Sequence, residues 1–125
     1  MRTMEAKLGD TALTLVANWK TSLEVAERVG DPMMIAREAV KEAVLLEKGL
    51  PFRPDFVLTT ENVAEIIHIG VNAGDTEMSL DRIGELIFDA GIFAGKEIAT
   101  DYLAMIIGPQ SKEMPKKKGD KRSEK

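Results

Sequence analysis

Residues that end helices recur along this chain at intervals of about one helix: Gly30 before Asp31-Pro32, then Gly49, Gly74, Gly91 and finally Gly108-Pro109. Between them, apolar residues fall at three- and four-residue spacing. From residue 18 onward the chain is therefore built to fold as a succession of short helices. Trp19, Leu23, Ala26 and Val29 mark the first, from Asn18 to Gly30, and Met33, Ala36, Val40, Ala43, Val44 and Leu46 the second, opened by an Asp31 cap with proline behind it. Two prolines make Leu50 to Asp55 a loop. Thr59 or Thr60 caps a third helix with a stripe of Val63, Ile66, Ile67 and Val71, which ends at Ala73-Gly74-Asp75. Ser79 caps a fourth, in which Leu80, Ile83, Leu86, Ile87 and Phe88 are expected to be buried, and the fifth runs from Ile92 to Ile107.

Ahead of the helices the period is two. Met4 to Leu8 and Thr11 to Val16 flank Gly9-Asp10, a pair suited to a tight hairpin. Leu13 and Leu15 share one face and Thr14 and Val16 the other, so one side is expected to be clearly buried, against helices. The fold expected is mainly α (α+β): an N-terminal β-hairpin followed by about five helices in one compact domain, residues 1–109, with a disordered basic tail at 110–125. That tail has one large apolar residue, Met114, too little to offset the entropy of ordering it.

Charge narrows the function. The tail holds seven of the 17 Lys/Arg and three of the 21 Asp/Glu, which leaves residues 1–109 with ten basic against eighteen acidic groups, a net −8. An acidic body lacks the phosphate-neutralising face on which nucleic-acid affinity rests, so no nucleic-acid partner is expected. No leader-type apolar region follows Met1, and no stretch is long enough to span a bilayer. A cytoplasmic protein without a membrane partner is expected.

Residues that carry chemistry are sparse. Cysteine is absent and His68 is the only histidine, which removes thiol chemistry and multi-histidine metal sites within one chain. Glu65 and His68 have the Glu-x-x-His spacing of carboxylate-bridged metal bundles, but a second copy of the motif is missing, so a partly exposed helix histidine is the expectation. Glu24, Glu27 and Arg28, like Arg37, Glu38, Lys41 and Glu42, have the spacing of surface ion pairs on helices. No phosphate-binding glycine loop occurs, and no catalytic residue, metal or cofactor is expected. Ala90, Gly91, Ala94 and Gly95 point to close helix packing in the core. For protein contact the candidates are Met33, Met34, Phe52 and Phe56; for Met33 and Met34, as for Met105, plain core filling is the alternative and the commoner role of methionine.

Taken in order, Leu13-Thr14-Leu15 before Trp19 to Gly30, then Val57 to Gly74, then Ser79-Leu80-Asp81-Arg82-Ile83-Gly84-Glu85-Leu86, then Gly91 to Ile107, carry a resemblance. Over about residues 5–108 the chain resembles the tail assembly chaperones of long-tailed phages and gene transfer agents, a group also described in places as tail tube proteins. Two features stand outside it: the helical stretch from Met33 to Lys48 is longer than the family pattern, and Trp19 has no counterpart there. The resemblance implies a non-enzymatic helper of tail morphogenesis in the host cell cytoplasm. Its partners would be the tape-measure protein and tail tube subunits, and it would be absent from the finished particle. A homo-oligomer is left open, as are a structural tail component (tail tube or tail completion) and a small helical adaptor or regulatory protein. Such families also make a longer product by programmed frameshifting, and Lys116-Lys117-Lys118 can be encoded by the adenine run that this needs. Intact-mass measurement on the product of the native gene, with its downstream DNA in place, is expected to find a second, longer species diverging near Lys116. A single species would remove the frameshift.

Overall fold

In the computed structural model, which describes residues 2–51 and 58–108, Gly9 adopts a φ of +62°. Glycine takes that left-handed backbone without steric cost, and the chain reverses there into an antiparallel hairpin. Its strands are β1 (Arg2–Leu8) and β2 (Thr11–Ala17), paired from Arg2 opposite Ala17 to Leu8 opposite Thr11. Among the described residues five helices follow: α1 (Trp19–Arg28), α2 (Pro32–Glu47), α3 (Thr60–Asn72), α4 (Leu80–Ala90) and α5 (Ile92–Ile107). The architecture is the mainly helical one that the sequence implies, and Asn18, Asp31, Thr59 and Ser79 each cap a helix through a side-chain oxygen. The segment expected as a tail lies outside the described residues. Among the described residues, no helix is long and apolar enough to cross a membrane.

The core is organised by α3, which packs against β2, α1, α4 and α5. Its Val63, Ile66, Ile67, Ile69 and Val71 are all buried, together with Leu13 and Leu15 from β2, Ile83 and Ile87 from α4, and Ile98, Tyr102 and Leu103 from α5. Gly70 is what lets the layers meet. A Cβ there would stand 2.9 Å from both Leu15 Cδ2 and the Tyr102 ring, so hairpin, α3 and α5 close on a position where only hydrogen fits. Gly95 is buried against Ile87 in the same manner, whereas Gly91, also expected in close packing, is exposed with open space at the place of a Cβ.

Four side chains depart from the pattern expected of them. Val16, on the second face of β2, is buried too, because the turn at Gly74 covers it. Phe88 is 76% exposed rather than buried, lying on the outer row of α4 while Ile83, Leu86 and Ile87 occupy the inner one. Glu38 is buried, not on a solvated face, with Lys41 3.4 Å away. Arg28 does not pair along its own helix but reaches across to Glu65 on α3.

Candidate protein-binding groove

The rotation of α1 is decided at its first turn. Asn18 Oδ1 accepts from the Thr21 N–H at 2.9 Å, and Thr21 Oγ1 accepts from the Asn18 N–H at 2.8 Å, closing a reciprocal cap. Thr21 and, one turn later, Val25 are buried. With those two residues turned inward, Trp19, Leu23 and Ala26 must line up on the outside. At the other end, Val25 C=O accepts from the N–H groups of both Val29 and Gly30, which terminates α1. Asp31 then caps α2 by accepting from the Met33 N–H at 3.0 Å. The link between the helices is so short that Met33 is brought beside the outer row of α1.

A third wall comes from the end of α5. Arg2 donates to the carbonyl oxygens of Met105, Ile106 and Gly108, the last at 2.7 Å. A guanidinium is well suited there, since it satisfies carbonyls left without helical partners and faces the negative end of the helix dipole. The hairpin thereby clamps the terminus of α5, and Ile107 faces the same space as α1 and α2. The result is a groove of about 570 Å³ lined by Trp19, Leu23, Ala26, Met33, Ile106 and Ile107, with Ala17 between them.

Exposure sets this lining apart from ordinary surface. Trp19 is 77% exposed, Met33 77%, Leu23 51% and Ile107 42%. Isolated apolar residues on a surface are unremarkable, but four large ones around one concave space make this lining a candidate for contact. The two charged groups of the lining are already engaged, Arg2 on the carbonyls of α5 and Asp31 on the cap of α2. What the groove offers is apolar contact framed by polar groups.

Of the residues singled out from sequence, Met33 lies in this groove, while Met34, the next position round α2, is half buried. Phe52 and Phe56 lie outside the described residues. Met105 packs against the core and acts as filler. Sequence reading missed Trp19 and Leu23 as contact residues. The signal that could have found them is Asn18 with Thr21, because a reciprocal cap that buries Thr21 sends Trp19 outward. Around the histidine, the Arg28 guanidinium reaches Glu65 and stands 3.2 Å from His68 Nδ1, so an arginine occupies the space a metal would need between the two. Among the described residues, no group of three or more His, Cys, Asp or Glu is placed to hold a metal ion.

Tyr102 has its proton affinity markedly displaced, and it sits in the core beneath β2, not in the groove. Burial pushes its phenol up from 10.0 to about 12; the Thr21 hydroxyl beside it pulls the other way, and the Glu24 carboxylate adds to the rise. Its hydroxyl donates to Val16 C=O at 2.6 Å, a structural bond between α5 and the hairpin. No protein-family model, curated protein or solved structure matches the chain.

Proposed function

We propose that this chain is a non-enzymatic tail assembly chaperone of a long-tailed phage or prophage, acting in the host cytoplasm on the tape-measure protein and tail tube subunits. The observation that carries the reading is the groove: Trp19, Leu23 and Met33 stand exposed around a concave apolar space in a domain whose core is filled without them. Three walls supplied by helices, with anchors spaced along α1 at 19, 23 and 26, suit an apolar helix face laid into a groove. A tape-measure protein that presents many such faces could be held by many copies, each weak alone and tight through multiplicity.

The test is co-purification of the chain with a phage tape-measure protein. Trp19→Ala and Met33→Ala together are expected to weaken capture by tenfold or more, a loss of about 1.4 kcal/mol or greater for anchor residues. Because both side chains are exposed, the urea midpoint should stay where it is. Undiminished capture by the double variant would exclude the groove as the site. Persistence of the chain in purified particles would instead favour the structural tail component.

A further inference from the structure

A second concave surface lies between α3 and α4, and its character is different. Ala64, Leu80, Gly84 and Phe88 give it an apolar lining and Glu61, Asp81, Glu85 and Asp89 an acidic one, in an open depression of about 690 Å³. Of these, Phe88 is 76% exposed. Asp81, Glu85 and Asp89 follow one another at four-residue spacing along α4, where like charges destabilise a helix. Asp89 moreover falls in the last turn of α4, at the negative end of the helix dipole, and that turn has no basic residue. Arg82 reaches Glu85 at 3.7 Å from an exposed position and offsets part of this charge. An aromatic face beside carboxylates is suited to a cationic occupant, since ammonium groups can pair with the carboxylates while their stems or charges rest on the ring.

We infer that the occupant is this chain's own basic C-terminal segment, residues 112–125. That segment carries seven Lys/Arg against three Asp/Glu, and the folded body it would meet is acidic. Reach permits the contact. Gly108 ends α5, whose 16 residues separate it by about 24 Å from the junction with α4. Lys116 to Lys118 lie eight to ten residues beyond Gly108 and can extend about 26 to 33 Å from it. A segment tethered this closely acts at millimolar effective concentration, so contacts too weak to hold a separate peptide suffice. Met114 and Pro115 supply apolar matter for the apolar lining. The docking is independent of the α1/α2/α5 groove and of the chaperone reading.

The chain has no cysteine, so Ser123→Cys gives a single site for a nitroxide on the full-length, isotopically labelled protein. Amide signals of Glu61 to Ala64 and of Leu80 to Asp89 are expected to lose more than half their intensity at low salt. They should recover at 1 M salt, where the Debye length falls to about 3 Å. Glu85→Lys with Asp89→Lys, both exposed, should abolish the loss with helicity unchanged. Glu42→Lys with Glu47→Lys, an equal charge change on exposed positions of α2, should leave it intact. Broadening centred on another face, absence of broadening, or its survival in the Glu85/Asp89 variant would overturn the inference. So would broadening that appears only between a spin-labelled copy and a separate isotopically labelled one, which would assign the surface to a second molecule.

Discussion

Leu15→Ala is expected to cost about 3–5 kcal/mol, the upper part of the range for leucine in a rigid core, a large share of the 5–15 kcal/mol typical of a whole domain. Leu15 is fully buried and reaches into the space that Gly70 leaves open, with its Cδ2 and Cβ at 2.9 and 3.0 Å from the place of a Cβ on that glycine. The same geometry makes a second substitution diagnostic. Alone, Gly70→Ala gains up to about 1 kcal/mol of helix propensity but forces its methyl into Leu15 and Tyr102, an overpacking cost of about 1–3 kcal/mol, so it is expected to destabilise. In the Leu15→Ala background the contact with Leu15 Cδ2 is gone while the Cβ of residue 15 and the Tyr102 ring stay close, so Gly70→Ala is expected to cost less than it does alone. Urea midpoints of the four proteins close the cycle, with a favourable coupling of about 1–3 kcal/mol expected between contacting residues. Additive effects would mean that hairpin and α3 do not meet at this point. Leu46→Ala, at a site 62% exposed, serves as the surface control and should fall within about 0.5 kcal/mol of the parent.

Element boundaries were legible because this chain marks them chemically. Asn18, Asp31 and Ser79 name the starts of three helices, Gly91 separates α4 from α5, and Gly9-Asp10 makes the hairpin. The inner face of α3 was legible for another reason: Val63, Ile66, Ile67 and Val71 form one apolar row on a helix covered from several sides. Helix rotation was harder wherever a helix carries two apolar rows. On α1 the row Trp19, Leu23, Ala26 competes with Thr21 and Val25; the more hydrophobic row lost, because the cap at Asn18 holds Thr21 inward. On α2 the row Met33, Val40, Val44 faces out while Ile35 and Glu38 face in, an outcome no hydrophobicity count anticipates. Phe88 followed the same logic, since Ile83, Leu86 and Ile87 were enough to cover α4. The groove was therefore half visible: methionine's adaptability pointed to Met33, whereas the spacing of Trp19 and Leu23 marked a helix without saying which way that row faces, and the buried Thr21 decides it.

These outward rows bear on how binding and stability divide. Residues that close the core, such as Leu15, Ile67 and Tyr102, are buried, whereas Trp19, Leu23, Met33 and Phe88 are exposed. Substitutions at the second set should change what the protein holds without changing whether it folds. The two sets touch at Arg2 and Ile107, where the clamp on the end of α5 also shapes the groove.

Alkali should unfold this protein through Tyr102. Fully buried, its phenol donates to Val16 C=O and has its pKa raised from 10.0 to about 12, mainly by burial. Below pH 10 both the folded and the unfolded chain hold the proton, so the stability linked to this group is fully present. Between pH 10 and about 12 the unfolded chain releases its proton while the fold retains it, and unfolding is favoured progressively. By the time the folded phenol ionises, a loss of about 3 kcal/mol has accumulated. Tyr102→Phe separates this effect from other groups that titrate in the same range. At pH 7 the variant should be less stable by about 1–3 kcal/mol, because Val16 C=O loses its donor in a buried setting. From pH 9.5 to 12 its urea midpoint should fall much less steeply than the parent's, and the two curves should converge or cross. Parallel curves across that interval would mean that the Tyr102 phenol ionises in the fold as readily as in the open chain, and that its bond to the hairpin does not hold α5 in place.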